Sequence, residues 1–412
     1  MRDLLSMAVR NIKRNTRRSL LAVLSVTLSI AFIVCMQGMI GGFLGSVVKN
    51  YTKNETGHVR ITTKAFQENY RFLPVTENIT DPQSIISTIR GDPHIAPHVA
   101  VIAERISFGV LLSNSGNNKT ALALAGDPAI EEHLLMLNKA LLPGGRYLRH
   151  SRETIIGASI AEKLGYKLGD TLKVIAQGSD YALHMRKFAI VGIFRTGLKM
   201  LDDAVFQIPL SDAKQMLRTR GAGQQIILML DNYKRAEHIA SRITARLGNN
   251  NLAIVPWTSI GDYGRIVKFS SSVYFLIYAA VALLGAFIIG NIMMMVVYER
   301  RREIGVLKSM GFARHAILSL FVAEGTGIGL IGSIAGTLLG AAVSMVFHFH
   351  GIDFTKALSS VNMPMDNVVY FTVSAAGLVQ AIVIGTVVSA LVSVLPSMQA
   401  SRMNPVESIK SV

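Results

Sequence analysis

Four long apolar stretches constrain this chain more than any other feature of its sequence. They run approximately over Ser19–Val48, Phe269–Tyr298, Ala316–Phe347 and Val368–Leu395. About 20 apolar residues are enough for a helix to cross the hydrocarbon core of a bilayer. The 412 residues are 50% hydrophobic and 17% charged, a balance typical of membrane proteins. The sequence therefore predicts four transmembrane α-helices.

The first stretch follows basic residues, as a signal peptide would. Its apolar part is about twice the usual length of a signal sequence, and no small-residue cleavage site precedes Lys49. We expect this stretch to be retained as a membrane anchor.

Basic residues in the short segments indicate the orientation of the chain. They are Arg2, Arg10, Lys13, Arg14, Arg17, Arg18, Arg300, Arg301, Arg302, Lys308, Arg314, Arg402 and Lys410. Short loops rich in arginine and lysine stay in the cytoplasm. We therefore expect both termini and the arginine segment after the second stretch to be cytoplasmic. Because this topology accounts for most of the net charge of +16, the basicity gives little support to nucleic-acid binding.

The same topology places residues 49–268 outside the cytoplasm. Runs rich in β-branched residues predict strands at His58–Thr63, Thr171–Ala176, Lys187–Phe194 and Gln225–Leu230. Ala236, Ile239, Ile243 and Leu247 share one face of a predicted helix that ends at Gly248. Gly116–Asn118 and Gly178–Asp180 predict hairpin turns. The prediction is a large α+β extracytoplasmic, or periplasmic, domain between the first two spans.

Three glycines in the third stretch have the spacing of a nucleotide-binding motif. Gly327, Gly329 and Gly332 fit G-x-G-x-x-G, but they lie inside an apolar span with no preceding strand. Glycines also recur every four residues, which predicts helix faces where neighbouring backbones approach closely. These sets are Gly325/Gly329, Gly332/Gly336/Gly340, Gly38/Gly42 and Gly41/Gly45.

Other patterns do not amount to a catalytic or metal site. His94 and His98 have the spacing of helical metal ligands, but the intervening Pro97 disfavours a regular helix. The sequence contains no phosphate-binding loop of the form G-x-x-x-x-G-K-[ST]. We therefore expect no catalytic residue, no metal and no cofactor in this chain, and we expect that it is not an enzyme.

Three consecutive arginines stand in the segment VYERRREIGVLKSMG, Val297–Gly311. After them, Ile304, Leu307 and Met310 recur every third residue, and Gly311 stands where a helix would end. This pattern predicts a short helix along the cytoplasmic surface, with an apolar stripe available to the membrane or to a partner. On physical grounds alone, a charge cluster in a plain loop is the alternative.

Val297–Gly325 resembles the signature of the ABC-transporter permeases typified by MacB, FtsX and the lipoprotein-releasing LolC and LolE. In that family the second transmembrane helix ends in E-R-x-R-E-I-G-x-L-K/R-x-x-G, a coupling helix seated on the ATPase. Two more segments resemble family motifs: Pro396–Lys410, with Ser408 in place of alanine, and Ile155–Leu172, with Ile160 in place of leucine. The resemblance assigns ATPase coupling to Glu299, Arg300, Arg301, Arg302, Glu303, Ile304, Gly305, Leu307, Lys308, Met310 and Gly311.

The resemblance implies a bacterial inner-membrane permease that works as a homo- or heterodimer on a cytoplasmic ATPase dimer. ATP and magnesium would be bound by the partner ATPase. The implied layout is an N-terminal amphipathic segment at 1–18, a first span with stalk at 19–48 and a MacB-like periplasmic core domain at 49–268. A second span at 269–298, a coupling helix at 299–315 and a third span at 316–347 follow. A periplasmic loop at 348–367, a fourth span at 368–395 and a cytoplasmic tail at 396–412 complete it.

The sequence supports more specific hypotheses about the roles of two sets of residues in or near the spans. The first stretch is longer than a bilayer requires, so we expect it to continue outward as a stalk. A substrate cleft between subunits is predicted where it emerges, at Gly38, Met39, Gly41, Gly42, Phe43 and Gly45. Glu324 is the only formal charge inside the four stretches. Pairing with a basic residue of the coupling segment, or snorkelling to the interface, competes with a direct role in transport.

The substrate is left open by the sequence. A separate ATPase, four spans and a domain of this size most resemble the lipoprotein-releasing type, which implies extraction of a lipoprotein or another hydrophobic substrate from the membrane lipid. In one branch of that group a hairpin hook recruits a periplasmic carrier, and Gln177–His184 falls in that place, although an ordinary turn is favoured because matching hook residues are absent. A MacB-like exporter working with an adaptor and an FtsX-like regulator of a periplasmic hydrolase are the alternatives.

Overall fold

The computed structural model describes residues 16–114, 116–358 and 365–403, and these residues form two units. The first unit contains the described residues up to Leu44, Phe269–Ile352 and the described residues from Val368 onward. The second contains Gly45–Lys268 and the described part of Asp353–Asn367. Most of the predicted N-terminal segment and the last residues of the predicted tail lie outside the described ranges.

Thirteen α-helices occur within the described ranges. In chain order they are α1 (Thr16–Tyr51), α2 (Lys64–Glu68), α3 (Pro82–Arg90), α4 (Pro128–Leu135), α5 (Ala158–Leu164), α6 (Lys199–Ala204), α7 (Leu210–Leu217), α8 (Ala236–Leu247), α9 (Gly261–Glu299), α10 (Arg301–Ser309), α11 (Arg314–His350), α12 (Thr355–Leu358) and α13 (Ala375–Arg402). Four of these, α1, α9, α11 and α13, are long and apolar enough to cross a membrane. The four-span prediction is confirmed.

The described strands are shorter and lie mostly between α1 and α9. They are β1 (Val59–Thr63), β2 (Val99–Asn114), β3 (Asn117–Gly126), β4 (Glu153–Gly157), β5 (Thr171–Gln177), β6 (Leu183–Phe194), β7 (Val205–Pro209), β8 (Gln225–Leu230), β9 (Leu252–Pro256), β10 (Ile352–Asp353) and β11 (Val368–Val369). The last two form a small sheet of their own.

The fourth span begins later than its hydropathy indicates. Val368 and Val369 belong to β11, and the helix starts only at Ala375. Ser374 caps it, because its Oγ accepts a hydrogen bond from the backbone N–H of Gly377 at 3.0 Å. The residues before Ser374 are apolar but extended, so hydropathy alone cannot separate them from the helix.

Helix α11 packs against α1 and α13 through its glycines. A Cβ added at Gly325 or Gly329 would overlap Ser393 or Ser389 of α13. On another face, a Cβ at Gly340 would lie 2.8 Å from the carbonyl oxygen of Ala31 in α1, and Gly332 and Gly336 meet α1 in the same way. The predicted small-residue faces are confirmed, and they let the backbones approach closely without a strong hydrophobic force.

The second unit is built on a nine-stranded sheet in the order β3-β7-β4-β6-β5-β2-β8-β1-β9. Strand β3 also pairs with β2, so six of the strands close into a ring, and β8, β1 and β9 extend from β2. The four predicted strands and the predicted helix from Ala236 to Leu247 are confirmed. Hairpins also join β2 to β3 and β5 to β6 at the two predicted turns.

Two large apolar cores, with two smaller apolar clusters beside them, fill the described part of this unit. One packs the ring strands against α5 and α7, with Phe108, Phe188 and Phe206 almost fully buried. The other packs β1, β8 and β9 against α3 and α8. It also includes Val48 and Tyr51 at the end of α1, and the Tyr51 hydroxyl donates to the carbonyl oxygen of Ile260 at 2.7 Å. The end of α1 is therefore part of the domain's core.

A buried ion pair holds the residues that follow α1. Arg105 in β2 and Glu131 in α4 form a bidentate pair, with N–O distances of 2.9 and 2.7 Å, and both residues are at most 1% exposed. The remaining Nη1 of Arg105 donates to the carbonyl oxygens of Lys53 and Asn54 at 3.1 and 3.0 Å. These carbonyls belong to a π-helical turn, Thr52–Thr56, that continues α1. We call this arrangement the stalk joint.

The substitution Glu131→Gln should destabilise the second unit. It removes the carboxylate and leaves the Arg105 guanidinium buried, and breaking a buried pair in this way costs about 3–5 kcal/mol. Trp257 is the only tryptophan of the chain and is buried in this unit, so its fluorescence reports thermal unfolding of the purified full-length protein.

The neighbouring Glu132→Gln is the matched control. Glu132 accepts a hydrogen bond from Asn138, and a glutamine at this position can accept the same hydrogen bond. We expect a clear fall of the unfolding temperature in Glu131→Gln and little change in Glu132→Gln. Equal unfolding temperatures in the two variants would show that the pair does not hold the joint.

Candidate coupling site

The predicted coupling segment folds as a one-residue helix break, which we call the elbow, followed by a short helix. Helix α9 ends at Glu299, Arg300 forms the turn, and α10 follows from Arg301 to Ser309. Gly311 has a φ of +89°, a left-handed conformation that glycine adopts without strain and that suits the end of a helix. The alternative of a plain loop is excluded by this geometry.

The apolar stripe of α10 is divided between the interior and the surface. Ile304 is only 1% exposed and packs in the core of the first unit with Ile317 and Ala400. Leu307 is half-buried, whereas Met310 is 72% exposed. The expectation that the stripe is available to the membrane or to a partner is therefore wrong for Ile304, which anchors the helix to its own chain.

The outward face of α10 contains a different set of side chains. Arg302, Glu303, Val306 and Ser309 are exposed, and Met310 continues this face beyond the helix. Val306 is 47% exposed and was not part of the predicted coupling set. Periodicity identifies the positions that share a face, but it does not say which face is turned inward. Val306 could therefore not be identified from the sequence.

Arg300 and Glu324 form a buried ion pair beneath the elbow. Nη1 of Arg300 lies 3.0 Å from Oε2 and 3.3 Å from Oε1 of Glu324, and each side chain is 5% exposed. Nε of Arg300 also lies 3.4 Å from Oε2 of Glu303. Of the alternatives for Glu324, the structure shows pairing with the coupling segment. The pair ties the elbow directly to α11.

Lys308 holds the far end of α10. Its Nζ donates to the carbonyl oxygen of Met403 at 2.5 Å, which links α10 to the end of α13. Burial and the nearby charge of Arg314 lower the pKa of Lys308. The helix is thus fixed at its start by Arg300, in its middle by Ile304 and at its end by Lys308.

The predicted cleft residues lie largely against their own chain. A Cβ at Gly42 would overlap the carbonyl oxygen of Tyr370, and one at Gly41 would overlap Thr372. The carbonyl oxygen of Gly38 accepts a hydrogen bond from the N–H of Thr372 at 3.0 Å. Met39 and Phe43 are half-buried, and the Cβ direction of Gly45 is open. Three of the glycines thus serve an intrachain contact, and a cleft between subunits stays a prediction.

The substitution Glu324→Gln should loosen the elbow. Arg300 would remain buried without its carboxylate, which costs about 3–5 kcal/mol. We expect a lower unfolding temperature of the detergent-purified protein and faster trypsin cleavage after the arginines of α10.

Two controls separate this effect from a general loss of stability. Glu303→Gln alters the exposed neighbour of Arg300 and should change the cleavage rate less. The double variant Arg300→Leu/Glu324→Leu removes both charges and should recover most of the lost stability. Parental stability and cleavage in Glu324→Gln would contradict the role of the pair.

Two family profiles together match most of the chain. The MacB-like periplasmic core domain matches residues 19–246, and the FtsX-like permease C-terminal region matches residues 275–405. The lipoprotein-releasing system transmembrane protein LolC of Neisseria meningitidis serogroup B is 22% identical over 76% of this chain and 78% of its own length. The macrolide export ATP-binding/permease protein MacB of Neisseria gonorrhoeae is 30% identical over 149 residues, 35% of this chain and 21% of its own.

A solved structure also aligns with part of this chain. The periplasmic region of MacB from Actinobacillus actinomycetemcomitans aligns over 51% of this chain and 94% of its own, with 14% identity and a TM-score of 0.34. The core-domain profile alone covers more than half of the chain, and the C-terminal profile covers the coupling segment and the last two spans. The chain therefore belongs to the MacB/FtsX/LolC family of ABC-transporter permeases.

Proposed function

We propose that this permease transmits ATP-driven motion from a separate cytoplasmic ATPase to its extracytoplasmic domain, and that the motion extracts a lipoprotein or another hydrophobic substrate from the inner membrane. The observation that carries the proposal is the geometry of α10. One face of this short helix is fixed to the first unit by three contacts, and the opposite face is exposed. A force applied to the exposed face is therefore passed to the membrane helices.

The fixed face makes α10 a stiff lever. Ile304 is buried, and the Arg300–Glu324 pair lies under the first turn of the helix. Glu324 directly precedes Gly325, where α11 lies so close to α13 that a Cβ would overlap the Ser393 side chain. Displacement of α10 is therefore transmitted to helices that are closely packed at this point.

The exposed face suits a partner with a groove. Val306 and Met310 supply apolar contacts, and Arg302 and Glu303 supply charges at the edge. An amphipathic helix that lays such a face in a groove is a common mode of recognition. In this proposal the groove belongs to the ATPase, which also holds the ATP and magnesium, and α10 faces the cytoplasm, as the positive-inside bias indicates.

Helix α1 is continuous and can transmit motion from the membrane to the extracytoplasmic domain. Its 36 residues span about 54 Å at 1.5 Å per residue, against about 30 Å of hydrocarbon. Its last turn enters the domain's core at Tyr51, and the stalk joint grips the residues that follow. An axial or tilting motion of α1 therefore moves the domain without an intervening flexible linker.

The loop between α11 and α13 also forms hydrogen bonds with the end of α1. Asp366 accepts hydrogen bonds from Ser46 Oγ and Asn50 Nδ2, both at 3.0 Å. The backbone N–H of Asp366 donates to Ser46 Oγ at 2.8 Å. In addition, Nδ2 of Asn367 lies 3.4 Å from the carbonyl oxygen of Gly197. Motion in this loop is therefore passed to the same stalk residues.

Two observations favour a lipoprotein-type substrate. The LolC relative aligns over most of both chains, and its name describes lipoprotein release. The β5–β6 hairpin also exposes apolar side chains near its tip, where Tyr181, Leu183 and Met185 are 73%, 75% and 63% exposed. An exposed apolar hairpin is suited to dock a soluble carrier, which such a release reaction requires.

The 30% identity to a macrolide export protein supports a second candidate, an exporter of small hydrophobic compounds that works with an adaptor. A regulator of a periplasmic hydrolase is a further candidate, and it would transmit motion through α10 in the same way. Molecules that copurify with the permease and its ATPase separate these functions: lipoprotein and carrier, adaptor, or hydrolase. In each case we propose a permease dimer, with no nucleic acid among its partners.

Cysteine crosslinking tests the coupling face. In a Cys35→Ser background, which removes the only native cysteine, Val306→Cys and Met310→Cys should crosslink to the ATPase in intact membranes. The captured protein should contain a G-x-x-x-x-G-K-[ST] phosphate loop, identified by mass spectrometry.

The variant Ile304→Cys is the matched control, because it lies on the same helix but is buried in the permease's own core. It should capture the ATPase at least several-fold less efficiently. The proposal fails if Val306→Cys and Met310→Cys capture no ATPase, or if these positions react with an impermeant thiol reagent added outside intact cells.

Substitution of the hairpin tip tests the substrate assignment. Tyr181→Ser/Leu183→Ser should reduce ATP-dependent transfer of a labelled lipoprotein from proteoliposomes to its soluble carrier, while ATP hydrolysis continues. Ser substitution at the exposed Leu168 on the same domain is the control. Unchanged lipoprotein transfer in the tip variant, or transfer of hydrophobic drugs but not of lipoprotein by the parent, would contradict the assignment.

A further inference from the structure

A basic cavity lies on the surface of the extracytoplasmic domain, and its lining includes no residue of the stalk joint or of the β5–β6 hairpin. Its volume is about 480 Å³, within the usual range for sites that bind small molecules or their groups. The segment Pro93–His98 forms one side, and the first turns of α8 form the other. Its lining residues are Pro93, His94, His98, Lys234, Arg235, His238, Ile239 and Arg242.

Positive charge exceeds negative charge around this cavity. Asp231 binds both His98, at 3.3 Å, and Arg235, at 3.2 Å. Asp92 lies 3.7 Å from Nε of Arg246 and accepts a hydrogen bond from the backbone N–H of His94. Among the described residues, neither Lys234 nor Arg242 forms an ion pair. Two cations are therefore left to bind an external anion.

The start of α8 makes this excess of positive charge unfavourable. Lys234, Arg235 and His238 surround the N-terminus of the helix, where the partial charge of the backbone is already positive. Glu237 is the acidic residue of the first turn, and its Oε1 accepts a hydrogen bond from Thr258. An anion between Lys234 and Arg242 would relieve this repulsion.

The cavity also lies close along the chain to the second span. Tyr233, which precedes Lys234, contacts Trp257 ring to ring at 6.0 Å, and Trp257 Nε1 donates to the Tyr233 carbonyl oxygen at 3.4 Å. Helix α9 begins only a few residues later, at Gly261. Tyr233, which directly precedes the basic residues, thus packs on the segment that leads to α9.

We propose that this cavity binds the phosphate group of an anionic phospholipid headgroup. Lys234 and Arg242 supply the charge-assisted hydrogen bonds, and the imidazoles of His94 and His238 line the same space. The inference concerns a lipid contact of the domain and does not depend on the coupling face of α10. It would let the domain bind a membrane lipid directly.

Binding of a short-chain lipid to the full-length protein tests the proposal. The detergent-purified chain is titrated with dihexanoyl phosphatidylglycerol below its micellar concentration, and in a second arm with inorganic phosphate. The variant Lys234→Gln/Arg242→Gln should weaken lipid binding at least about fivefold, the effect of losing two exposed ion pairs. Trp257 fluorescence verifies that the domain remains folded.

The matched control is Lys173→Gln/Lys187→Gln, which removes two exposed charges that face each other on β5 and β6. Its lipid affinity should stay within about twofold of the parent. Equal affinity of the Lys234/Arg242 variant and the parent would overturn the site. Inorganic phosphate that binds the parent as tightly as the lipid does would overturn the lipid as its source.

Discussion

The membrane unit depends on how closely α11 approaches its two neighbours. On one side Gly325 and Gly329 leave no room for a Cβ next to α13, and on the other side Gly332, Gly336 and Gly340 do the same next to α1. Lipid provides no hydrophobic force between helices, so close packing has to supply the attraction. The Arg300–Glu324 pair lies at the end of this tightly packed region. The elbow is therefore attached to the stiffest part of the unit.

In the second unit a backbone segment is also held closely, but here a buried ion pair holds it instead of glycine packing. Here the backbone to be held is the turn after α1, whose carbonyl groups have no helical partners of their own. Arg105 satisfies two of them, and Glu131 neutralises its charge. Gly126 makes room for this carboxylate, because a Cβ there would lie 2.5 Å from Glu131 Oε1. A buried charge network at this position specifies one geometry for the stalk.

Local patterns in the sequence predict much of this architecture. Hydropathy identifies the four spans, β-branched runs identify strands such as Gln225–Leu230, and the spacing of Gly325 and Gly329 identifies a packing face. The start of α13 is missed because the extended residues before Ser374 are equally apolar. Two features are missed: the inward orientation of Ile304 and the Arg105–Glu131 pair. Each is formed by contacts between residues far apart in the chain, and no periodic pattern relates such residues.

Strand β2 gives the extracytoplasmic domain a property that neither core would have alone. Its first half pairs with β8, and its second half pairs with β3 and β5, so one continuous backbone runs through both lobes. Arg105 lies where these pairings meet. Sliding one lobe over the other would break ladder hydrogen bonds on a single strand. Bending between the two lobes would therefore have to distort β2 itself, and the domain resists such bending.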